Sequence, residues 1–103
     1  MAEITLTSEN FKAEVLESKV PVLVDFWATW CGPCQMMGPV VEELANESDG
    51  SYKVGKVNVD EQGDLAQEYG VMSIPAFFVF KDGKVSASSV GAQGKDALLD
   101  MLK

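Results

Sequence analysis

The chain has 103 residues and a net charge of −8, with 47% hydrophobic and 23% charged residues. These values are typical of one soluble globular domain over residues 1–103, large enough to bury about two-thirds of its unfolded surface in a single core. Two cysteines are too few for a disulfide scaffold, and an acidic surface disfavours nucleic acid and anionic membranes as partners.

The N-terminal region indicates where the protein works. Charged residues are spread through the first twenty positions, where a signal peptide would need a uniform apolar segment. No apolar run approaches the ~20 residues of a membrane span. We therefore expect a cytoplasmic protein, although a processed organellar form would have the same pattern.

The first half of the chain predicts two strands and two helices. Ile4 and Leu6 alternate with polar residues as in a short strand, and the polar residues 7–10 then begin a helix. Residues 22–27 are apolar on both faces except for Asp25, which is typical of a strand in the middle of a sheet. A long helix follows Cys34 and ends at residues 49–51, with Pro39 predicting a kink. Its inward face comprises Met37, Val40, Val41, Leu44 and Ala45.

The second half predicts three strands and two helices. A third strand over residues 52–59 is interrupted by Gly55, and a short helix after it is capped by Gly70. The apolar run 76–80 and residues 85–90 flank Asp82-Gly83, the strongest short hairpin signal. A terminal amphipathic helix follows. The order βαβαβαββα predicts an α/β sandwich of three layers, with parallel strands first and an antiparallel hairpin last.

Cys31 and Cys34 lie where the second strand meets the long helix. The first backbone N–H groups of a helix lack partners and carry positive potential, which favours a thiolate over a thiol. Residues three apart share a helix face, so a small adjustment of the first turn closes or opens a disulfide. Gly32 leaves Cys31 accessible, and Pro33 suits the first helical turn. The pattern predicts a reversible dithiol.

Other interpretations of the two cysteines are a zinc site, a fixed structural disulfide and inert thiols. Zinc requires about four ligands, and the chain has no histidine. A disulfide that closes so short a loop adds little stability. Within a redox pair, Cys31 should be the more exposed attacking thiolate, and the shielded Cys34 should act second.

Asp25 lies among apolar neighbours and shares a strand face with Leu23 and Trp27. Burial raises the pKa of a carboxyl group, which makes Asp25 a candidate proton acceptor for the second thiol. A solvated strand face is the other interpretation. By itself, Pro75 predicts only the start of a strand.

The sequence resembles the thioredoxin family over essentially the whole chain. The resemblance is carried by residues 30–34 (Trp-Cys-Gly-Pro-Cys), 21–28 (Pro-Val-Leu-Val-Asp-Phe-Trp-Ala), 56–60 (Lys-Val-Asn-Val-Asp), 73–75 (Ser-Ile-Pro), 80–84 (Phe-Lys-Asp-Gly-Lys) and 90–92 (Val-Gly-Ala). It implies a five-stranded mixed sheet with four helices and a protein-disulfide reductase that transfers electrons by thiol–disulfide exchange.

The resemblance also assigns roles to residues. It implies that Asp25 lies beneath the dithiol as proton acceptor with Lys56 close to it, although a solvated strand end remains equally open for Lys56. It implies a cis bond before Pro75, with the backbone of Ile74 free to pair with an extended substrate. The substrate would meet an apolar rim formed by Trp30, Gly32, Pro33, Val59, Ile74, Val90 and Gly91.

The partners implied are disulfide-containing proteins and a thioredoxin reductase, either an NADPH flavoprotein or a ferredoxin-linked enzyme. We expect a monomer with no bound cofactor. Gln35 stands where the family often has a basic residue, and Gly38, Met72, Ser73 and Ala76 are further departures that bear on partner preference and redox poise. Two other functions remain open: an interaction subunit that uses the same rim, and an oxidase or isomerase of secreted proteins.

Overall fold

The structure, a computed structural model, describes residues 2–103. A five-stranded sheet has the order β1-β3-β2-β4-β5, in which β1, β3 and β2 are parallel and β4 and β5 are antiparallel to their neighbours. The strands are β1 (Ile4–Thr5), β2 (Val22–Trp27), β3 (Lys53–Asn58), β4 (Ala76–Lys81) and β5 (Lys84–Val90). The helices are a π-helical segment (Lys12–Leu16), α1 (Gly32–Glu47), α2 (Gly63–Glu68) and α3 (Lys95–Leu102). The predicted element order and fold class are confirmed.

Two sequence predictions differ in detail from the structure. The first helix begins at Lys12 rather than within residues 8–10, which form a turn. In this turn the side-chain oxygens of Thr7 and Asn10 accept hydrogen bonds from nearby backbone N–H groups. These polar side chains bond the local backbone in place of a helical turn, a competition that is common for such residues. Gly55 does not interrupt the third strand, because it pairs with Ile4 on one side and Val24 on the other.

Gly55 has a packing role on β3, between β1 and β2. A Cβ atom at this position would overlap the side chain of Leu6, which crosses directly above the backbone. The glycine therefore allows β1 to lie close against β3. In the hairpin between β4 and β5, Asp82 and Gly83 have φ angles of 53° and 78°, as a two-residue turn of this type requires.

Each face of the sheet carries its own apolar core. The π-helical segment and α2 cover one face, where aromatic rings such as Phe11, Phe26 and Phe80 are packed. The other face is covered by α1 and α3, with Leu23, Phe77 and Leu98 fully buried. The carboxyl end of β2 lies under the first turn of α1, and this junction carries both cysteines.

The helices are all short on the scale of a bilayer. The longest of those described, α1, has 16 residues. No helix within residues 2–103 has both the length and the apolar character needed to cross a membrane.

Candidate active site

Cys31 and Cys34 form a disulfide at the amino end of α1, with their Cα atoms 5.2 Å apart. Cys31 is the N-cap residue, and its sulfur accepts a hydrogen bond from the backbone N–H of Cys34 at 3.3 Å. A backbone N–H group in this position can stabilise a thiolate on Cys31. The positive end of the helix dipole favours negative charge at the same place.

The expected difference in exposure between the cysteines is not found. Cys31 is 5% exposed and Cys34 is 4% exposed, because both sulfurs pack in one cluster with Ala28, Val59 and Ile74. The neighbouring loops cover Cys31 as well as Cys34, an effect of tertiary packing that position on a helix does not predict. The two residues therefore differ mainly in their place on the helix.

Asp25 is buried in β2, with 1% of its surface exposed, and its Oδ1 atom has no hydrogen-bond partner among the described residues. Burial raises the pKa of Asp25 to about 7, and the nearby charge of Lys56 opposes this rise. The solvated interpretation of Asp25 is therefore wrong. Side chains alternate between the two faces along β2, so Asp25 lies on the same face as Leu23 and Trp27. Leu23 belongs to the apolar core covered by α1, and Trp27 packs against the cluster of Ala28 and the two cysteines.

Lys56 is the register partner of Asp25 on the neighbouring parallel strand. Its ammonium group lies 4.5 Å from the centre of the Trp27 ring, a cation–π contact. The residue is half-buried, so it is not the solvated strand end left open by the sequence. A cation therefore lies close to the one fully buried carboxylate of the site.

Ile74 and Pro75 close the other side of the dithiol. The peptide bond between them is cis, as expected from the resemblance. The sulfur of Cys31 lies 3.8 Å from the carbonyl oxygen of Ile74, and the carbonyl of Pro75 accepts a hydrogen bond from the N–H of Gly91 at 2.7 Å. The 73–75 loop and the 90–92 loop thus meet beside Cys31.

The residues predicted for the rim differ in exposure. Trp30 and Val90 are strongly exposed, whereas Val59 and Ile74 are partly buried against the cysteines. Met72, two residues before Ile74, is almost fully exposed.

Asp60 is a site residue that the sequence analysis missed. Its carboxylate accepts a hydrogen bond from the indole N–H of Trp30 at 2.8 Å. Parallel strands end at the same edge of a sheet, so the residues after β2 and after β3 are neighbours there. The predicted parallel strands therefore indicated that the two loops are neighbours, and the structure adds the hydrogen bond between these two side chains. Gln35, another departure, donates to the carbonyl oxygen of Thr29 and so ties α1 to the same loop.

Comparison with known proteins agrees with this geometry. The family model described as Thioredoxin matches residues 2–103. The chain belongs to the thioredoxin family. It is 52% identical to Thioredoxin 1 of Synechococcus elongatus over 94% of this chain and 91% of that protein. It is 48% identical to thioredoxin of Rickettsia felis, over 94% and 92% of the two chains. Identity to the Pseudomonas aeruginosa thioredoxin is 46%, over 96% and 92%.

Membership in this family and the Cys31–Cys34 disulfide identify the chemistry. The protein is a thiol–disulfide oxidoreductase whose redox-active group is this cysteine pair. Disulfide-bearing substrates and a reductase that regenerates the dithiol follow from the family. Within residues 2–103, no three His, Cys, Asp or Glu side chains are grouped so as to hold a metal ion.

Proposed function

We propose that the protein is a general reductant of protein disulfides, in which Cys31 attacks and Cys34 resolves. The observation that carries this assignment is the hydrogen bond from the Cys34 N–H to the Cys31 sulfur at the helix N-cap. It favours the thiolate on Cys31 rather than on Cys34, because within residues 2–103 the capping sulfur is the one that receives a backbone donor of the first turn.

In the first step, the Cys31 thiolate attacks one sulfur of a substrate disulfide. The substrate S–S bond breaks, a Cys31–substrate disulfide forms, and the other substrate sulfur leaves as a thiolate that takes up a proton. The Ile74 backbone lies beside Cys31, which supports pairing of an extended substrate segment at this point.

In the second step, the Cys34 thiol gives its proton to the Asp25 carboxylate and attacks the Cys31 sulfur. The mixed disulfide breaks, the Cys31–Cys34 disulfide forms, and the second substrate sulfur leaves as a thiolate that takes the proton from Asp25, so the substrate gains two electrons and two protons in total. Asp25 suits this exchange because its pKa of about 7 lies near physiological pH, where a group accepts and returns a proton most efficiently.

The proposed substrate surface is the apolar rim around Cys31, and a charge on it should affect large substrates selectively. Val90, 67% exposed, is replaced by Asp, and the reduction of a protein disulfide is compared with that of a small aromatic disulfide. We expect kcat/KM to fall roughly tenfold for the protein substrate, because one valine contact of about 1.5 kcal/mol is lost. The small disulfide should be reduced at the original rate.

Val85 supplies the matched control for this variant. It lies on the same strand, is 44% exposed, and pairs with Phe80 away from the dithiol. Val85→Asp should leave the rates for both substrates unchanged. Equal effects of the two variants on protein substrates would argue against the rim as the docking surface.

The direction of electron flow is tested by equilibrium with glutathione. A reductant should convert glutathione disulfide to glutathione. At equilibrium the protein should then be mostly in the Cys31–Cys34 disulfide form. The two protein forms are separated after acid quenching and alkylation of free thiols. An equilibrium with the protein mostly in the dithiol form would instead identify an oxidase or isomerase.

We further propose that the chain works in the cytoplasm as one domain and as a monomer without a bound cofactor. Its net charge of −8 supports the monomer, because acidic copies repel one another. The reductase would be either an NADPH flavoprotein or a ferredoxin-linked enzyme. Supplying the oxidised protein with each class in turn and following thiol formation distinguishes the two.

A further inference from the structure

Glu3 is a titratable residue whose charge acts on Asp25 and which the proposed mechanism does not use. It lies directly before β1 and is half-buried. Its Oε2 atom is buried and has no hydrogen-bond partner in the part of the chain that the structure describes. Burying a carboxylate oxygen without a partner costs free energy, so this placement does not by itself stabilise the fold.

The strand register brings Glu3, Lys56 and Asp25 to one face of the sheet. β3 lies between β1 and β2, and Lys56 pairs with Thr5 on one side and Asp25 on the other. Partner residues of parallel strands project from the same face, as do residues two apart along the chain. Glu3 is two residues before Thr5. One ammonium group is therefore flanked by a carboxyl group on each side.

The charges around Asp25 come from these same elements. Burial raises the pKa of Asp25, Lys56 on β3 lowers it, and Glu3 raises it again by repulsion. Burial also raises the pKa of Glu3. The positive charge of Lys56 lowers this pKa, and the negative charge of Glu42 on α1 raises it. On its remaining side, Asp25 pairs with the uncharged Phe77 of β4. Two carboxyl groups thus compete for one lysine.

We propose that Glu3 is a positioning residue of the dithiol site, which favours the protonated form of Asp25 near neutral pH by sharing Lys56 with it. In this role Glu3 acts through its charge. The inference rests on the proposed function, because Glu3 has this role only if Asp25 exchanges a proton with Cys34.

The test is the variant Glu3→Gln, which removes the charge and keeps the shape. The titration midpoint of the Asp25 carboxyl group is measured by carbon-13 NMR in the oxidised protein. We expect it to fall by a few tenths of a pH unit or more, because a nearby negative charge is lost and Lys56 acts on Asp25 alone. Lys56→Met should move the midpoint in the opposite direction. The pH profile for resolution of a mixed disulfide should move with the midpoint in each variant.

Two further variants separate this role from a change in net charge or in folding. Glu9→Gln removes one exposed negative charge from the turn before the π-helical segment, so it should leave the midpoint unchanged. Glu3→Asp keeps the charge and should keep the midpoint close to that of the original protein. A midpoint unchanged by Glu3→Gln, or shifted equally by Glu9→Gln, would overturn the role of Glu3 alone. A midpoint that moves while the resolution profile stays fixed would overturn the proton role of Asp25, and the positioning role with it.

Discussion

Cys34→Ser is expected to accumulate a covalent mixed disulfide with substrate proteins and to lose essentially all turnover. Cys31 still attacks, because its helix position and its hydrogen bond from the backbone N–H of residue 34 are unchanged. No thiol remains to break the product, so the reaction stops after the first step. Non-reducing electrophoresis shows the complex as a species that disappears when an external reductant is added.

Cys31→Ser is the matched control, since it removes the other sulfur of the same pair. It should trap no substrate, because the Cys34 sulfur lies one turn into the helix and lacks the backbone N–H donor that favours a thiolate on the capping residue 31. Equal trapping by the two variants would show that the roles are not divided as proposed. Biological activity retained by the double variant Cys31→Ser, Cys34→Ser would indicate that the protein acts as an interaction subunit.

Asp25→Ala is expected to make the protein more stable at pH 8 while slowing the resolution step near neutral pH. At pH 8 the folded protein holds a buried carboxylate whose Oδ1 atom has no hydrogen-bond partner among the described residues, and the variant removes this cost. A rise in pKa from 3.8 to about 7 corresponds to a gain of roughly 4 kcal/mol in the free energy of unfolding, as an upper value. Resolution should slow about a hundredfold, the lower end for a positioned acid–base group.

The pH dependence of this gain has a definite sign. Below pH 3.8 the Asp25 carboxyl group is protonated in both the folded and the unfolded chain, so its charge does not change the free energy of unfolding. Between pH 3.8 and about 7 the unfolded chain loses the proton and the folded chain keeps it, so the original protein becomes less stable as the pH rises. Above about pH 7 the difference is constant. Denaturant unfolding of both proteins across this range measures it.

Asp64→Ala is the control for the change in net charge, because this residue is exposed in the first turn of α2. The difference in free energy of unfolding between this variant and the original protein should not increase between pH 4 and 7. Asp25→Asn provides a second comparison, since it abolishes the titration and keeps a polar group buried. A loss of stability in Asp25→Ala at pH 8 would mean that the carboxylate is satisfied in the folded protein, and would count against its raised pKa.

The sequence by itself determined the elements that carry the site. The strand predicted over residues 22–27 has the same first and last residues as β2. A run that is apolar on both faces is typical of a strand buried in the middle of a sheet, so its ends are marked by the change to other residue types. The turn at Asp82-Gly83 was equally clear, since few residues accept two successive positive φ angles. The place of Cys31 and Cys34 at the junction between strand and helix followed from these local signals and from helix spacing.

Only the tertiary structure decided how the parts of the site act on one another. The nearly equal burial of Cys31 and Cys34 comes from the loops that pack over them, and no local pattern encodes that packing. The hydrogen bond between Trp30 and Asp60 joins residues thirty positions apart. The alignment of Glu3, Lys56 and Asp25 depends on the register of three parallel strands. Register is fixed by packing across the sheet, and electrostatic coupling depends on the resulting distances, so neither can be read from the order of residues along the chain.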